Sequence, residues 1–414
     1  MKVLHFIPSL ESVAGSYLSD YKVALLRSMA DKADVTVFTY NAGKVALGKA
    51  VVKVCPLSGL LFGAGRRGFR KALTDMCPDV VHIHACWNYA ASILFEECVR
   101  LHVPTVITVD RKLEDWHFCR HYWLCKLPKS VMYQRRMLKK AGVLHFITEQ
   151  EQADFGHLGW LPGIRSAKPL NTRTVTIEPF NITGGVSVEE MSDRLLALYQ
   201  KVADSAPFNR MTEDERRAED RLISIGLIGK NLARITDDDI TLLRSLDGNS
   251  WRRILIHAHD ENVSENLYEG LRQVGIPIPA LSADTIDRFV RDSAGRRKDA
   301  ATDSKIAKLM SDTAMPEFER SVCVEFTELL LKIKYACAHR SDFVQLFNKL
   351  RFNDYDEDLV SEKISSIGLA KDAARLFKIM EERYGLGEGF MFTDPLDDKG
   401  TEKLRKKLFK SEIQ

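Results

Sequence analysis

Between Pro78 and Tyr89 the chain reads Pro-Asp-Val-Val-His-Ile-His-Ala-Cys-Trp-Asn-Tyr, an apolar run that ends in residues able to do chemistry. His84, Trp87 and Asn88 bring an imidazole, an aromatic face and an amide close together, a set suited to hydroxyl groups and to the apolar C–H face of a sugar-like ring. A second group follows at Asp110, Arg111 and Lys112, with Trp116 and Arg120 just beyond. Here a carboxylate stands beside several cations, and preorganised cations suit a leaving or bound phosphate. Each residue also has a plainer use. A strand-end histidine with a tryptophan nearby caps a core, Arg and Lys line solvated loops, and a tryptophan anchors packing.

Other chemistries find less support. The stretch Trp116-His117-Phe118-Cys119-Arg120-His121-Tyr122-Trp123-Leu124-Cys125 contains metal-ligand residue types but no paired C-x-x-C unit, so it reads as aromatic packing with free thiols, and no metal site is expected. His257 and His259 are one residue apart, which on a helix turns them to different faces. No P-loop, nucleophile elbow or H-E-x-x-H motif is present. Eight cysteines in a chain of this length read as thiols rather than a disulfide framework.

The elements that must position these residues alternate through the first part of the chain. Val3 to Ile7, Val35 to Phe38, Val51 to Val54, the run at Val80, Pro104 to Val109 and Val143 to Ile147 read as short buried strands. Helical spacing falls between them, as in Tyr17, Tyr21, Ala24, Leu25 and Met29. The pattern predicts an α/β, doubly wound, Rossmann-like domain over residues 1–183, ending in the strand that starts at Thr174. Ligands of such a sheet bind outside the carboxyl ends of its strands, where His84 and Asp110 fall. From Gly184 the period turns helical: a helical region is expected over 184–290, a polar, charged linker over 291–308, and a helical C-terminal region over 309–414.

Composition bounds the function. The 414 residues are 45% hydrophobic and 28% charged, with a net charge of +3, values of a globular chain without the overall basic excess of a dedicated nucleic-acid binder. The first residues do not form a signal peptide and no run is long enough to span a bilayer, so a cytoplasmic protein is expected. At most it touches the inner face of the membrane, for which Arg66, Arg67, Arg70 and Lys71 beside Leu60, Leu61, Phe62 and Phe69 are the candidates.

Three blocks in order resemble the acceptor-side domain of GT-B glycosyltransferases of the family-four class. Pro78 to Asn88 is similar to Pro-Asp-Val-Val-His-x-His followed by a small residue and Trp. Val103 to Trp116 is similar to a strand that ends in Pro-His-Gly-Met-Leu and then Trp. Ala141 to Gly159 is similar to Ala-x-x-x-His-x-x-(Ser/Thr)-x-x-Glu. The resemblance covers roughly residues 1–180 and implies a retaining transferase with a nucleotide-sugar donor, a saccharide or lipid-linked acceptor and no tightly bound cofactor. It assigns catalytic roles to Asp110 and Arg111, and substrate binding to Gly15, Ser16, His84, Trp87, Asn88, Lys112, Trp116, Arg120 and Glu149.

The chain departs from that pattern in three places. Asp110-Arg111 replaces His-Gly, with Lys112 in place of Met; Gly15 stands alone where the family often has Gly-Gly; and no paired-glutamate motif follows residue 180. Ile223 to Asn231 is similar to the family's opening strand and Gly-x-x-x-Lys turn, yet also reads as the apolar end of a helix. Two functions follow: sugar transfer in glycan or polysaccharide biosynthesis, or a catalytically inactive scaffold whose helical C-terminal region binds a protein partner or a glycan.

Overall fold

The computed structural model describes residues 1–10, 17–42, 45–54, 64–162, 164–166, 172–177, 186–233, 235–277, 279–289, 300–335 and 337–408. They form two compact units. The first holds Met1–Arg210 and Asp287–Phe289; the second holds Met211–Ile286 and the described residues from 300 onward.

Unit 1 is built on seven strands: β1 (Lys2–Phe6), β2 (Asp34–Thr39), β3 (Val51–Val54), β4 (Val80–Ile83), β5 (Thr105–Thr108), β6 (Val143–Phe146) and β7 (Thr174–Thr176). All are parallel, in the order β3-β2-β1-β4-β5-β6-β7. The Val- and Ile-rich runs are strands because both faces are covered. In the central strands β4, β5 and β6 every residue is buried.

The pleat sends alternate side chains to opposite layers. Val3, Val80, Val106 and Val143 join the core beneath α1 (Tyr17–Ala30). Leu4, Val81, Ile107 and Leu144 join the core beneath α2 (Ala64–Met76) and α3 (Tyr89–Arg100). After α4 (Asp115–Cys119) come π-helical turns at Tyr122–Lys126 and Ser130–Gln134, interleaved with α5 (Leu127–Lys129) and α6 (Arg135–Lys140). Helix α7 (Glu149–Gly156) follows β6, and α8 (Val188–Asp204) and α9 (Pro207–Arg210) close the unit.

Helix α8 forms where its period predicts, but on the other side of the expected division. The boundary near residue 183 lies outside the described residues. The α8 stripe Met191, Leu195, Leu198, Tyr199 and Val202 is buried in the same core as α1 and the sheet, so unit 1 extends to Arg210. Helical periodicity reports that one face is apolar and not which surface it will cover.

The basic segment at 66–71 also has a different role from the one expected. It lies on α2, where Phe69 is buried; Arg66 and Arg70 lie 3.4 and 2.8 Å from Glu97, which has no exposed surface, and Arg100 lies 3.6 Å from it. Arg66 and Arg70 therefore neutralise a buried carboxylate, while Arg67 and Lys71 of the same segment are exposed. Leu60, Leu61 and Phe62 lie outside the described residues.

Among the described residues unit 2 contains no strand. Its helices are α10 (Glu213–Ile228), α11 (Asp237–Ser245), α12 (Gly248–Asp260), α13 (Ser264–Val274), α14 (Ala300–Met310), α15 (Glu317–Lys334), α16 (Arg340–Arg351), α17 (Glu357–Ser366), α18 (Ala370–Tyr384) and α19 (Lys399–Leu408). Thr212 and Thr236 open α10 and α11 with reciprocal capping boxes to Glu215 and Asp239.

The run at Ile223 follows the helical reading: it is the last part of α10, with Gly226 set against α13, where a Cβ would lie 2.0 Å from the Asn266 carbonyl oxygen. This is close helix packing rather than a phosphate turn. The expected linker over 291–308 is corrected: residues 300–308 belong to α14, because Ile306 and Leu309 are spaced to bury against a neighbouring helix despite the polar composition; 291–299 lie outside the described residues.

Candidate functional site at the carboxyl edge of the sheet

Strand order reverses between β1 and β4, and in open α/β sheets ligands bind outside the carboxyl ends of the strands at such a switch point. His5, His82, Thr108 and His145 lie on the sheet face that carries Val3, Val80, Val106 and Val143; His5 pairs in register with His82 and Thr108 with His145, Thr108 standing two residues beyond Val106, the partner of His82. His84 continues the row beyond β4, its backbone N–H donating to the Phe6 carbonyl at 2.9 Å.

All four imidazoles are buried, and burial lowers their pKa, His5 to about 3, so they are neutral. Their proton positions then follow from one acceptor. His145 Nε2 lies 3.1 Å from the Ile177 carbonyl and must donate to it, leaving Nδ1 to accept from the Thr108 hydroxyl at 2.7 Å. Thr108 Oγ1 in turn accepts from His82 Nε2 at 2.6 Å, and His82 Nδ1 accepts from the Tyr199 hydroxyl at 2.5 Å. A directed chain of hydrogen bonds thus ties α8 to the three central strands.

Nitrogens of His5, His82 and His84 all lie within 4.8 Å of one another, a ligand set by residue type. Both His82 nitrogens are committed to the chain, however, and the His82 ring lies tilted against that of His84, with 3.8 Å between centroids. His5 Nδ1 and His84 Nε2 lie 3.0 Å apart, while His5 Nε2 and His84 Nδ1 are buried with no hydrogen-bond partner among the described residues.

The loop after β5 carries the outward-facing chemistry. Asp110 and Arg111 both adopt left-handed backbone, with φ of 50° and 60°, a conformation that costs roughly 1–3 kcal/mol per non-glycine residue. Several contacts hold them there. Lys22 Nζ of α1 lies 2.6 Å from Asp110 Oδ2, with both side chains almost buried. Arg111 forks onto Glu114, Nε to Oε1 at 2.6 Å and a terminal nitrogen to Oε2 at 3.1 Å. Trp116 Nε1 donates to the same carboxylate at 2.7 Å.

Burial pushes the Glu114 carboxyl up, but the hydrogen bonds from Arg111, Trp116 and Thr148 outweigh it and hold it below the usual range. Helix α7 grips the loop from behind. Glu151 accepts from the Leu113 N–H at 3.3 Å, and Asp154 from the Asp115 N–H at 3.1 Å. Burial pushes Glu151 up to about 7.

The predicted site residues separate into distinct groups. Asp110, Arg111, Lys112 and Trp116 come together on the loop, and Asp110 Oδ1 is buried with no hydrogen-bond partner among the described residues. Arg111 is half-exposed and its charge is spent on Glu114. Arg120 and Trp116 are exposed on either side of α4.

Three of the other predicted residues make contacts within the fold. His84 is paired with His5; Trp87, at φ 61°, is buried in the core with Lys126 Nζ 5.9 Å from its ring; and Asn88 caps α3 by accepting from the Ala91 N–H at 3.0 Å. Gly15 and Ser16 lie outside the described residues. Glu149 is exposed in the first turn of α7.

Sequence reading missed Lys22 and Glu151. Nothing in the α1 pattern marks Lys22. Glu151, by contrast, closes the spacing Ala141…His145…Thr148…Glu151 and sits three residues after the N-cap Thr148, a legible signal.

A parallel sheet of this order, with a polar loop at the carboxyl end of its central strands, defines a Rossmann-like α/β domain. Residues 20–165 match the family described as the glycosyl transferase 4-like domain, a match consistent with an N-terminal GT-B glycosyltransferase domain. No curated protein and no solved structure matches the chain.

Proposed function

We propose that unit 1 takes part in transfer of a sugar from a nucleotide-sugar to a saccharide or lipid-linked acceptor, with the loop after β5 as its contact with the reacting groups. The observation that carries this reading is the Asp110–Lys22 pair. An isolated carboxylate would repel a diphosphate, whereas Lys22 neutralises Asp110 and so removes that repulsion from the loop. Lys112 and Arg120 supply positive charge near the same rim, and the exposed face of Trp116 suits a sugar ring. Arg111, with its charge held by Glu114, positions the loop.

A second reading is favoured by unit 2. GT-B enzymes of the resembling class bind the donor mainly in a second α/β domain, and the described residues of unit 2 are helical. On this reading the protein is a catalytically inactive scaffold whose helical C-terminal region binds a protein partner or a glycan.

The test is calorimetry and thermal shift of the full chain with UDP, GDP, their sugars and candidate acceptor saccharides, beside an assay for sugar transfer. Saturable diphosphate-dependent stabilisation that is lost in Asp110→Ala supports transfer. Binding of saccharide with indifference to every nucleotide supports the scaffold. Silence from both classes in a cooperatively melting protein overturns the proposal.

A further inference from the structure

From Trp116 to Lys140 the chain carries seven Lys and Arg residues and no Asp or Glu, in a protein whose net charge is only +3. The same stretch holds Trp116, Trp123, Leu124, Val131 and Met132, all large apolar side chains left exposed, Leu124 by 84% and Met132 by 71%. Its helical turns explain how this outer face stays continuous. Tyr122, Lys126, Ser130, Gln134 and Leu138, each four residues apart, are buried. Four residues are more than one α turn and less than one π turn, so alternating α and π segments keep that spacing on one line. The opposite line then presents Trp123 and Leu124, next Val131 and Met132, and finally Lys139 and Lys140.

Not every cation in the stretch is available. Lys126 is buried, donating to the carbonyls of His117 and Phe118; Arg135 donates to Ser130 Oγ and the Trp160 carbonyl; and Arg136 lies 3.1 Å from Glu96. Arg120, Lys129, Lys139 and Lys140 are exposed and make no ion pair among the described residues. They flank the apolar stripe.

We propose that this face docks on an anionic lipid surface, Trp123, Leu124, Val131 and Met132 entering the headgroup boundary while Lys129, Lys139, Lys140 and Arg120 meet acidic headgroups. Charge complementarity selects a bilayer over a protein partner. Protein interfaces deplete lysine, whereas exposed Trp and Leu framed by lysines fit the boundary of an anionic leaflet. The proposal is independent of whether unit 1 transfers a sugar.

The test is flotation of the full chain with vesicles of phosphatidylcholine alone and of phosphatidylcholine mixed with phosphatidylglycerol, at low and high salt, with tryptophan fluorescence as a second readout. Association is expected with the anionic vesicles only, with a blue shift in emission and loss in high salt. The triple variant Lys129→Gln/Lys139→Gln/Lys140→Gln and the double variant Trp123→Gln/Leu124→Gln should each weaken association by about tenfold or more while melting as the parent does, since all five side chains are exposed. No association of the folded parent, equal association with neutral vesicles, or unchanged association of both variants would overturn the proposal. So would a concentration-dependent dimer that the double variant abolishes in a protein indifferent to vesicles, because the stripe would then be a contact between copies.

Discussion

Lys22 Nζ and Asp110 Oδ2 lie 2.6 Å apart although 88 residues separate them, and their side chains are only 13% and 12% exposed. The pair pins the loop after β5 to helix α1 at the point where strand order reverses. Removing one partner strands the other charge out of water. Lys22→Met should therefore destabilise the protein by about 2–3 kcal/mol. Lys22→Met/Asp110→Asn should recover much of that loss. Calorimetric melting of the parent, both singles and the double closes the cycle, and independent, additive losses would mean that the two residues do not interact.

Arg111 occupies left-handed backbone at the position where the resembling family carries glycine. Glycine adopts that conformation without penalty. Arg111→Ala and Arg111→Gly both lose the fork onto Glu114, so their difference isolates the backbone. The glycine variant should be the more stable by about 1 kcal/mol. Equal melting temperatures would count against the left-handed geometry.

Glu151 is pushed up to about 7 by burial. An acid whose folded pKa lies above its unfolded value holds its proton better in the fold. Its contribution is therefore fully present at low pH and is lost as pH rises through about 4.5 to 7, amounting to about 3 kcal/mol once both states are ionised. Glu151→Gln should erase this loss and gain on the parent as pH rises across that window. A parent-minus-variant difference that does not change with pH would contradict the burial argument.

The histidine row acts with the opposite sign. His5, His82, His84 and His145 are held neutral by burial, so unfolding lets them take up protons. Their stabilising effect is intact above about pH 6.5 and falls below it, at roughly 1.4 kcal/mol per pH unit for each histidine. Unfolding at acid pH should be accompanied by uptake of several protons, measurable from the dependence of unfolding enthalpy on buffer ionisation heat. Uptake of fewer than two beyond the carboxylate contribution would refute a neutral row.

In unit 2, α10 and α13 cross at two glycines. A Cβ at Gly226 would lie 2.0 Å from the Asn266 carbonyl oxygen, and one at Gly270 would lie 2.1 Å from that of Leu222. Alanine raises helix propensity by about 1 kcal/mol at such a site, but here it must push two backbones apart. Gly226→Ala and Gly270→Ala should each lower stability by more than about 2 kcal/mol. Gly248, whose Cβ would meet nothing within 4 Å, serves as the control: Gly248→Ala should be near neutral or stabilising.

Much of this molecule is written locally. The runs at Val80, Thr105 and Val143 are strands because a continuous apolar segment between turn residues has few other uses, and Thr212 with Glu215 opens a helix through bonds within one turn. The motif residues fall at strand ends for the same reason, so the sheet and its carboxyl edge were legible.

What each of those residues does was not. Trp87 and Asn88 had the chemistry of a binding pocket, yet the fold uses one as core and the other as a helix cap. Lys22 meets Asp110, Tyr199 meets His82 and Glu97 meets Arg66 and Arg70 only once parallel register and helix crossings have brought distant segments together. Periodicity determines which face of an element leaves water, because burial of apolar area is non-directional. A charge or a hydrogen-bonding group needs a particular partner within a few ångströms, and only the tertiary structure chooses that partner.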